Sequence, residues 1–271
     1  MIPVSAVITL RKQIVFIFLI VVSIQYGHAD SAKLQEFSHD EWTSLLKQYV
    51  DPRGYVNYEA LNKDKDTLNQ YVNRIEQYSP VNTPELFPTQ EAQLAYYINA
   101  YNALVFKAVL ERGPETESVW SGLISGLNFF VRTSIIVGGD KTNFRNLENK
   151  VIRDQFKDPR IHAALNCASV SCPRLLQQAY LTETLDQQLD TAIREFVNSE
   201  QHVKIDRQGQ RAMLSTIFDW FDKDFIEYER TQGNGSPNLI DYINRYRTPG
   251  SEIDRDFKVD FIEYDKRINS Q

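Results

Sequence analysis

The sequence has 271 residues, with 30 Lys and Arg against 36 Asp and Glu, a net charge of −6. An acidic chain without a basic run excludes a nucleic-acid surface built on phosphate contacts. Hydrophobic residues at 42% and aromatics at 12% exclude a disordered chain and suffice for one sizeable core.

The N-terminal stretch carries its own signal. Arg11 and Lys12 precede an apolar run from Ile14 to Ile24, and Gln25-Tyr26-Gly27-His28-Ala29-Asp30 follows. Charge, an apolar stretch and small residues before a cut after Ala29 form the layout of a secretory signal peptide, residues 1–29. The run is short against the roughly 17–25 residues of a spanning helix. The expected location is therefore periplasmic or secreted. Anchoring by an uncleaved N-terminal segment is the alternative, because Ile2 to Leu10 is also apolar, and only then is membrane contact expected. Removing Arg11 and Lys12 leaves 28 basic against 36 acidic residues, a net −8, in a domain spanning 30–271.

The remaining elements are expected in this order. Ser38-His39-Asp40-Glu41 has the spacing of a capping box, and Trp42, Leu45, Leu46 and Tyr49 then recur at helical intervals. Asp51-Pro52-Arg53-Gly54 is a turn, Tyr55 to Tyr58 a short strand, and Leu61 to Tyr78 a second helix. From Gln90 to Arg112 runs a helix apolar on nearly every side. Thr89 can cap it, Gly113 can end it, and such a helix belongs at the centre of a domain. Thr133 to Val137 with Gly138-Gly139 reads as a strand and hairpin turn. Helices are expected from about Asn146 to Phe156 and after Thr182. Arg160 to Cys167 is a short apolar run, strand or helix. His202 to Asp206 and Arg211 to Ser215 make a second hairpin. Ser236-Pro237 opens a helix with proline at its first position, and Val259 to Tyr264 is a last strand. Helices and hairpins without regular βαβ alternation give an α+β class: a single globular domain, mostly helical, with a central apolar helix and short antiparallel hairpins.

The densest chemical segment runs from Asp158 to Pro173. It holds Arg160, His162, Cys167, Ser169, Ser171 and Cys172. A thiol enzyme needs a thiolate, a base or cation beside it, and donors for an oxyanion. His162 and Cys167 fall on opposite faces of a strand, so their meeting requires a bend or a helical turn. The two cysteines, too few for a disulfide scaffold or a cysteine-built zinc site, can also bridge in an oxidising compartment. An extended strand would hold them roughly 16 Å apart, so a bridge needs a tight turn through Ser169-Val170-Ser171. The small ring would add roughly 2 kcal/mol. Structural staple, redox couple, catalytic thiol and inert buried pair all remain open. No phosphate loop, His-Glu-x-x-His motif or nucleophile elbow occurs, and Asp219, Asp222 and Asp224 lack the spacing of a calcium loop. No metal and no cofactor is expected.

The run Arg160 to Pro173 resembles the signature of the domain-of-unknown-function 547 family. Tyr97-Ile98-Asn99-Ala100-Tyr101-Asn102-Ala103-Leu104 resembles that family's central helix, where tryptophan often stands at the place of Tyr97. Val137-Gly138-Gly139, Leu147-Glu148 and Arg153 resemble its middle block. Leu214-Ser215, Ile217-Phe218, Trp220-Phe221 and Phe225 resemble the next, and Tyr264-Asp265 with Ile268-Asn269 its close, with Lys266 where tryptophan is common. The motif-bearing part is about 55–265. The resemblance implies fold and unity of the domain, not an activity. In plants and nematodes the family's domain also stands beside thiol-redox domains, an associational pointer to thiol chemistry.

The matched polar residues suggest one pocket. Two readings follow. The first is a binding or scaffold module whose Cys167–Cys172 pair is structural or redox-active, with Arg160, Ser169, Ser171 and Cys172 in the binding region. The second is a thiol hydrolase or acyl transferase. There Cys167 is the nucleophile, His162 the base, Asn99 or Asn102 the orienting or oxyanion group, and Glu148 the residue that orients the histidine. The partner is a small molecule, peptide or protein not named by the sequence.

Overall fold

A computed structural model describes residues 36–113, 116–120 and 127–271. The expected signal peptide lies outside the described residues. Helix α4 (Gln90–Arg112) organises the rest. Every residue from Leu94 to Phe106 is buried. A helix without a polar face has to be enclosed on all sides. Its ends follow local chemistry: the Thr89 hydroxyl accepts the Ala92 N–H at 3.1 Å, and Gly113 leaves the helix at φ +98°.

Helices α1 (Asp40–Tyr49), α2 (Tyr58–Lys63) and α3 (Asp66–Gln77) precede α4 in the same hydrophobic core. Trp42 of α1 stacks on Tyr71 of α3 with an interplanar angle of 7°. Its other edge meets Phe106 of α4 at 5.1 Å. Three local expectations change here. No capping box forms, because Glu41 pairs with Arg74 of α3 and Ser38 donates to Asp40. The strand expected at Tyr55 to Tyr58 shrinks to bridges from Val56 to Val50 and Ser270, since the Asn57 side chain already caps α2 by accepting the Ala60 N–H. The second helix breaks at Asp64, whose carboxylate accepts from the Tyr49 hydroxyl.

After α5 (Leu127–Arg132), strands β1 (Ser134–Val137) and β2 (Asp140–Asn143) form the expected antiparallel hairpin. Its turn takes Gly138 and Gly139 at φ +58° and +85°. A side chain at Gly138 would also collide with Ser79. Next, α6 (Phe144–Asn146), a π-helical stretch (Leu147–Arg153) and α7 (Asp154–Phe156) run on as one helix. A 3₁₀ turn (Pro159–Ala163) leads into the cysteine segment.

Helix α8 (Leu185–Asn198) introduces a second core. There β3 (Val203–Asp206) pairs antiparallel with β4 (Arg211–Ser215), as expected. Strand β5 (Lys258–Ile262) pairs parallel to β4, with Ala212 opposite Val259. It is therefore not part of a hairpin, because the chain returns only after crossing through α9 (Thr216–Trp220), α10 (Asp222–Thr231) and α11 (Leu239–Tyr246). A reciprocal capping box of Asn238 and Asp241 starts α11, which puts Pro237 ahead of the cap and not at the first helical position. The class is α+β in one mostly helical domain. No described helix is long and apolar enough to cross a membrane.

Residues 163–168 sit at the seam of the two cores. Ala164, Leu165 and Ala168 pack into the first core, and Ala163 and Cys167 into the second. The chemistry-bearing segment is thereby held on both sides.

Candidate functional site

The segment from Ala164 to Pro173 is folded by asparagines. Asn102, buried in α4, accepts the Asn166 N–H at 2.8 Å and donates to the Ala164 carbonyl at 3.0 Å. Asn166 in turn accepts the Ala168 N–H at 2.9 Å and donates to the Pro173 carbonyl at 3.0 Å. Ala168 adopts φ +61°, and the Cys172 N–H closes a turn on the Ser169 carbonyl at 3.0 Å. This is the tight turn that a meeting of the two cysteines requires.

The result is a pair of free thiols with sulfurs 2.7 Å apart, beyond the roughly 2.05 Å of a disulfide bond. The donors around them are unequal. Cys172 Sγ receives the backbone N–H groups of Cys167 at 3.1 Å and Ser169 at 3.4 Å. The Tyr264 hydroxyl lies 3.1 Å from Cys167 Sγ and 3.3 Å from Cys172 Sγ. Burial alone would raise the Cys172 thiol, but the hydrogen bonds from Cys167, Tyr264 and the two N–H groups bring it below its ordinary value. Cys167 goes the other way. Its thiol is shared with the Cys172 sulfur and buried, and it is held well above the usual range. The pair thus places its first negative charge on Cys172.

Both cysteines form part of the wall of a cavity of about 100 Å³. Tyr101, Glu148, His162 and Tyr264 supply its polar groups, and Trp120, Phe130, Trp220 and Phe221 most of its apolar wall. Glu148 enters from the π-helical stretch. Burial lifts its carboxyl to about 7, against the opposing pull of Arg153 and the Tyr101 hydroxyl at 3.5 Å. His162 comes from the 3₁₀ turn and stacks on Phe221 with ring centres 4.0 Å apart. Its Nε2 meets the Asp224 carboxylate at 2.8 Å. Arg153 grips the same carboxylate through Nε at 2.7 Å and Nη2 at 2.8 Å. Burial would raise Asp224, but His162 and Arg153 hold it far below the usual carboxylate range. Burial also lowers His162, outweighing Asp224, so its ring is neutral near pH 7. A carboxylate can only accept, so Nε2 carries the proton. That leaves Nδ1 unprotonated, without a hydrogen-bond partner among the described residues.

The expected site residues divide. Cys167, Cys172, His162 and Glu148 share the cavity. Ser169 supports it from behind: its hydroxyl accepts the Trp120 Nε1–H at 2.7 Å. Ser171 accepts the Asp265 N–H at 2.8 Å and fastens the segment that brings Tyr264. Asn99 and Asn102 do not line the cavity. Asn99 is committed to the Tyr180 backbone, donating at 2.7 Å and accepting at 3.0 Å, as Asn102 is to residues 164 and 166. Both amides are buried in α4, bonded to backbone away from the cavity, and they position loops. Arg160 lies elsewhere, bound to Asp158, Asp186 and Asp190. Asp224, and not Glu148, orients the histidine. No hydrogen bond joins His162 to either sulfur among the described residues. Asp224, Tyr101, Trp120 and Tyr264 are the site residues that the sequence reading passed over. The family-like blocks that contain Tyr101 and Tyr264 point to two of them, and nothing in the sequence singles out Trp120. Among the described residues, no group of three or more His, Cys, Asp or Glu is placed to hold a metal ion.

Residues 86–197 match the family described as "Protein of unknown function, DUF547". That match contains α4, the π-helical stretch and the whole cysteine segment. The chain is also similar to the AP-1 accessory protein LAA1 of Saccharomyces cerevisiae, at 24% identity over 65% of this chain and 9% of the yeast protein. It therefore spans under a tenth of that relative. No solved structure matches it.

Proposed function

Through residues 86–197 the chain belongs to the DUF547 family, which brings no activity with it, and from the site itself we propose a binding module whose Cys167–Cys172 pair cycles between dithiol and disulfide. One observation carries this reading: two free sulfurs 2.7 Å apart in a turn that directs two backbone N–H groups onto one of them. Such a pair can lose two electrons and two protons with little movement of the chain. The donors favour the thiolate that starts any exchange. An exported location, expected from the N-terminal segment, would suit the oxidised form. A protein partner belongs to the same reading, since the yeast relative is by name an accessory protein.

The test is alkylation and mass spectrometry of the full chain, equilibrated with dithiothreitol at graded ratios of its reduced and oxidised forms. The expected result is a reversible two-electron transition to an intramolecular bridge. Thiols that stay alkylatable at every ratio would overturn it. A second reading draws on the unprotonated His162 Nδ1 in the same cavity: a thiol hydrolase with Cys167 as nucleophile and His162 as base. It requires rapid alkylation of Cys167 below pH 7, lost in His162→Gln. The donor set on Cys172 favours the redox couple.

A further inference from the structure

Two hollows reach the thiol pair. The larger, about 340 Å³, is lined by Cys172 with Asn166 and Ser169. The smaller is the cavity of about 100 Å³ lined by both cysteines, and its wall of Trp120, Phe130, Trp220 and Phe221 favours a small molecule with an apolar end. An oxidant that suits this wall, and a thiolate with a second thiol already in contact, is an organic hydroperoxide.

We propose that the cavity is a peroxidatic site, in which Cys172 reduces a small organic hydroperoxide and Cys167 resolves the product. The assignment to Cys172 is geometric. The backbone N–H groups of Cys167 and Ser169 and the Cys167 thiol converge on that sulfur, whereas the Tyr264 hydroxyl lies between the two sulfurs. The Cys172 thiolate attacks the terminal oxygen of ROOH. The S–O bond forms, the O–O bond breaks, and the alkoxide leaves. It takes a proton from the Glu148 carboxyl in the same wall and departs as ROH, and solvent reprotonates Glu148. The Cys167 sulfur then attacks the sulfenic sulfur. The S–S bond forms, and hydroxide leaves as water with the Cys167 proton. One hydroperoxide is reduced by two electrons as two thiols become one disulfide, and an external dithiol would restore them. This activity rests on the dithiol couple proposed above.

The experiment uses the full chain, reduced and freed of reductant, mixed with tert-butyl hydroperoxide near pH 7. Thiols are followed by alkylation and mass spectrometry. Oxidation is expected at least about tenfold faster than that of free cysteine, which is only a few per cent thiolate at that pH. One tert-butanol forms per disulfide. The apolar wall further predicts that tert-butyl hydroperoxide gains more over free cysteine than hydrogen peroxide does, a comparison needing no variant. In Cys167→Ser a sulfenic acid accumulates on Cys172. Oxidation no faster than free cysteine, or a sulfenic acid formed as quickly on Cys167 in Cys172→Ser, overturns the proposal. If oxidised dithiothreitol still forms the bridge in the wild-type chain, the couple stands and only the peroxidatic role falls. If it does not, both fall.

Discussion

Glu148→Gln should stabilise this protein at pH 8. The Glu148 carboxyl is raised in the fold to about 7, against an ordinary value of 4.5. A group whose folded value is raised binds its proton more tightly in the native state. Its contribution is fully present below about 4.5 and disappears as pH climbs through about 7. Two and a half pH units at 1.36 kcal/mol each amount to about 3 kcal/mol, and partial solvent access at the cavity wall makes this an upper figure. Glutamine keeps the shape and the neutral form, so the variant does not suffer the loss. Urea unfolding of wild type and variant at intervals from pH 4.5 to 8.5 gives the difference curve. That difference removes the contributions of His39 and His202, which titrate with the opposite sign. It should be near zero at the acid end and favour the variant by about 2–3 kcal/mol at pH 8. A flat difference curve, or a variant weaker than wild type at pH 8, would show that Glu148 is well solvated and that the cavity does not hold a protonated acid.

Asp224→Asn removes a carboxylate that accepts from Arg153 twice and from His162 once. An amide oxygen in the place of Oδ2 keeps the bonds from Arg153 Nε and His162, so one bond from Arg153 is lost and the other two lose their charge assistance, together about 3 kcal/mol. A loss of about 3 kcal/mol in urea unfolding is expected, together with a shift of the His162 tautomer seen by nitrogen NMR. His202, buried without a side-chain hydrogen bond among the described residues, is lowered by that burial to about 4 from 6.5. Its depressed value makes the fold lose stability as pH falls below 6.5, by about 2 kcal/mol at pH 5. His202→Leu should remove that slope from the acid limb of the unfolding midpoint. Asn102→Ala strands the Asn166 N–H and the Ala164 carbonyl, and should cost about 2–4 kcal/mol. Its thermal midpoint should drop in step, and a neutral variant would deny Asn102 its place as a clamp.

The sequence disclosed what local chemistry decides. Helix α4 declared itself by apolar residues on every side and by Thr89 and Gly113 at its ends. Both hairpins were legible from their turn residues. Choices settled by distant partners were not. The capping box at Ser38 lost Glu41 to Arg74, 33 residues away. Strand β5 joined β4 in parallel because three helices intervene. Asp224 looked like one carboxylate among several in the first turn of an acidic helix. Only the fold shows it against His162, 62 residues earlier. Tyr264 read as the end of a strand, yet its hydroxyl lies between two sulfurs more than 90 residues upstream.

The asparagines show why structural and functional readings of this site converge. Extended, the chain would hold the cysteines roughly 16 Å apart. Asn102 fixes the backbone at Ala164 and Asn166 from within the most buried helix, and Asn166 then draws Ala168 and Pro173 together across the loop. Each bond is an ordinary satisfaction of buried polar groups. Their sum is a turn in which two sulfurs touch and two backbone N–H groups aim at one of them. Ser171 and Asp265 add the last constraint by tying down the strand end that carries Tyr264. None of these residues needs to contact a substrate to govern the thiol pair. They set the separation of the sulfurs and the donors around them, and those two quantities decide which sulfur ionises first and how readily the pair can close.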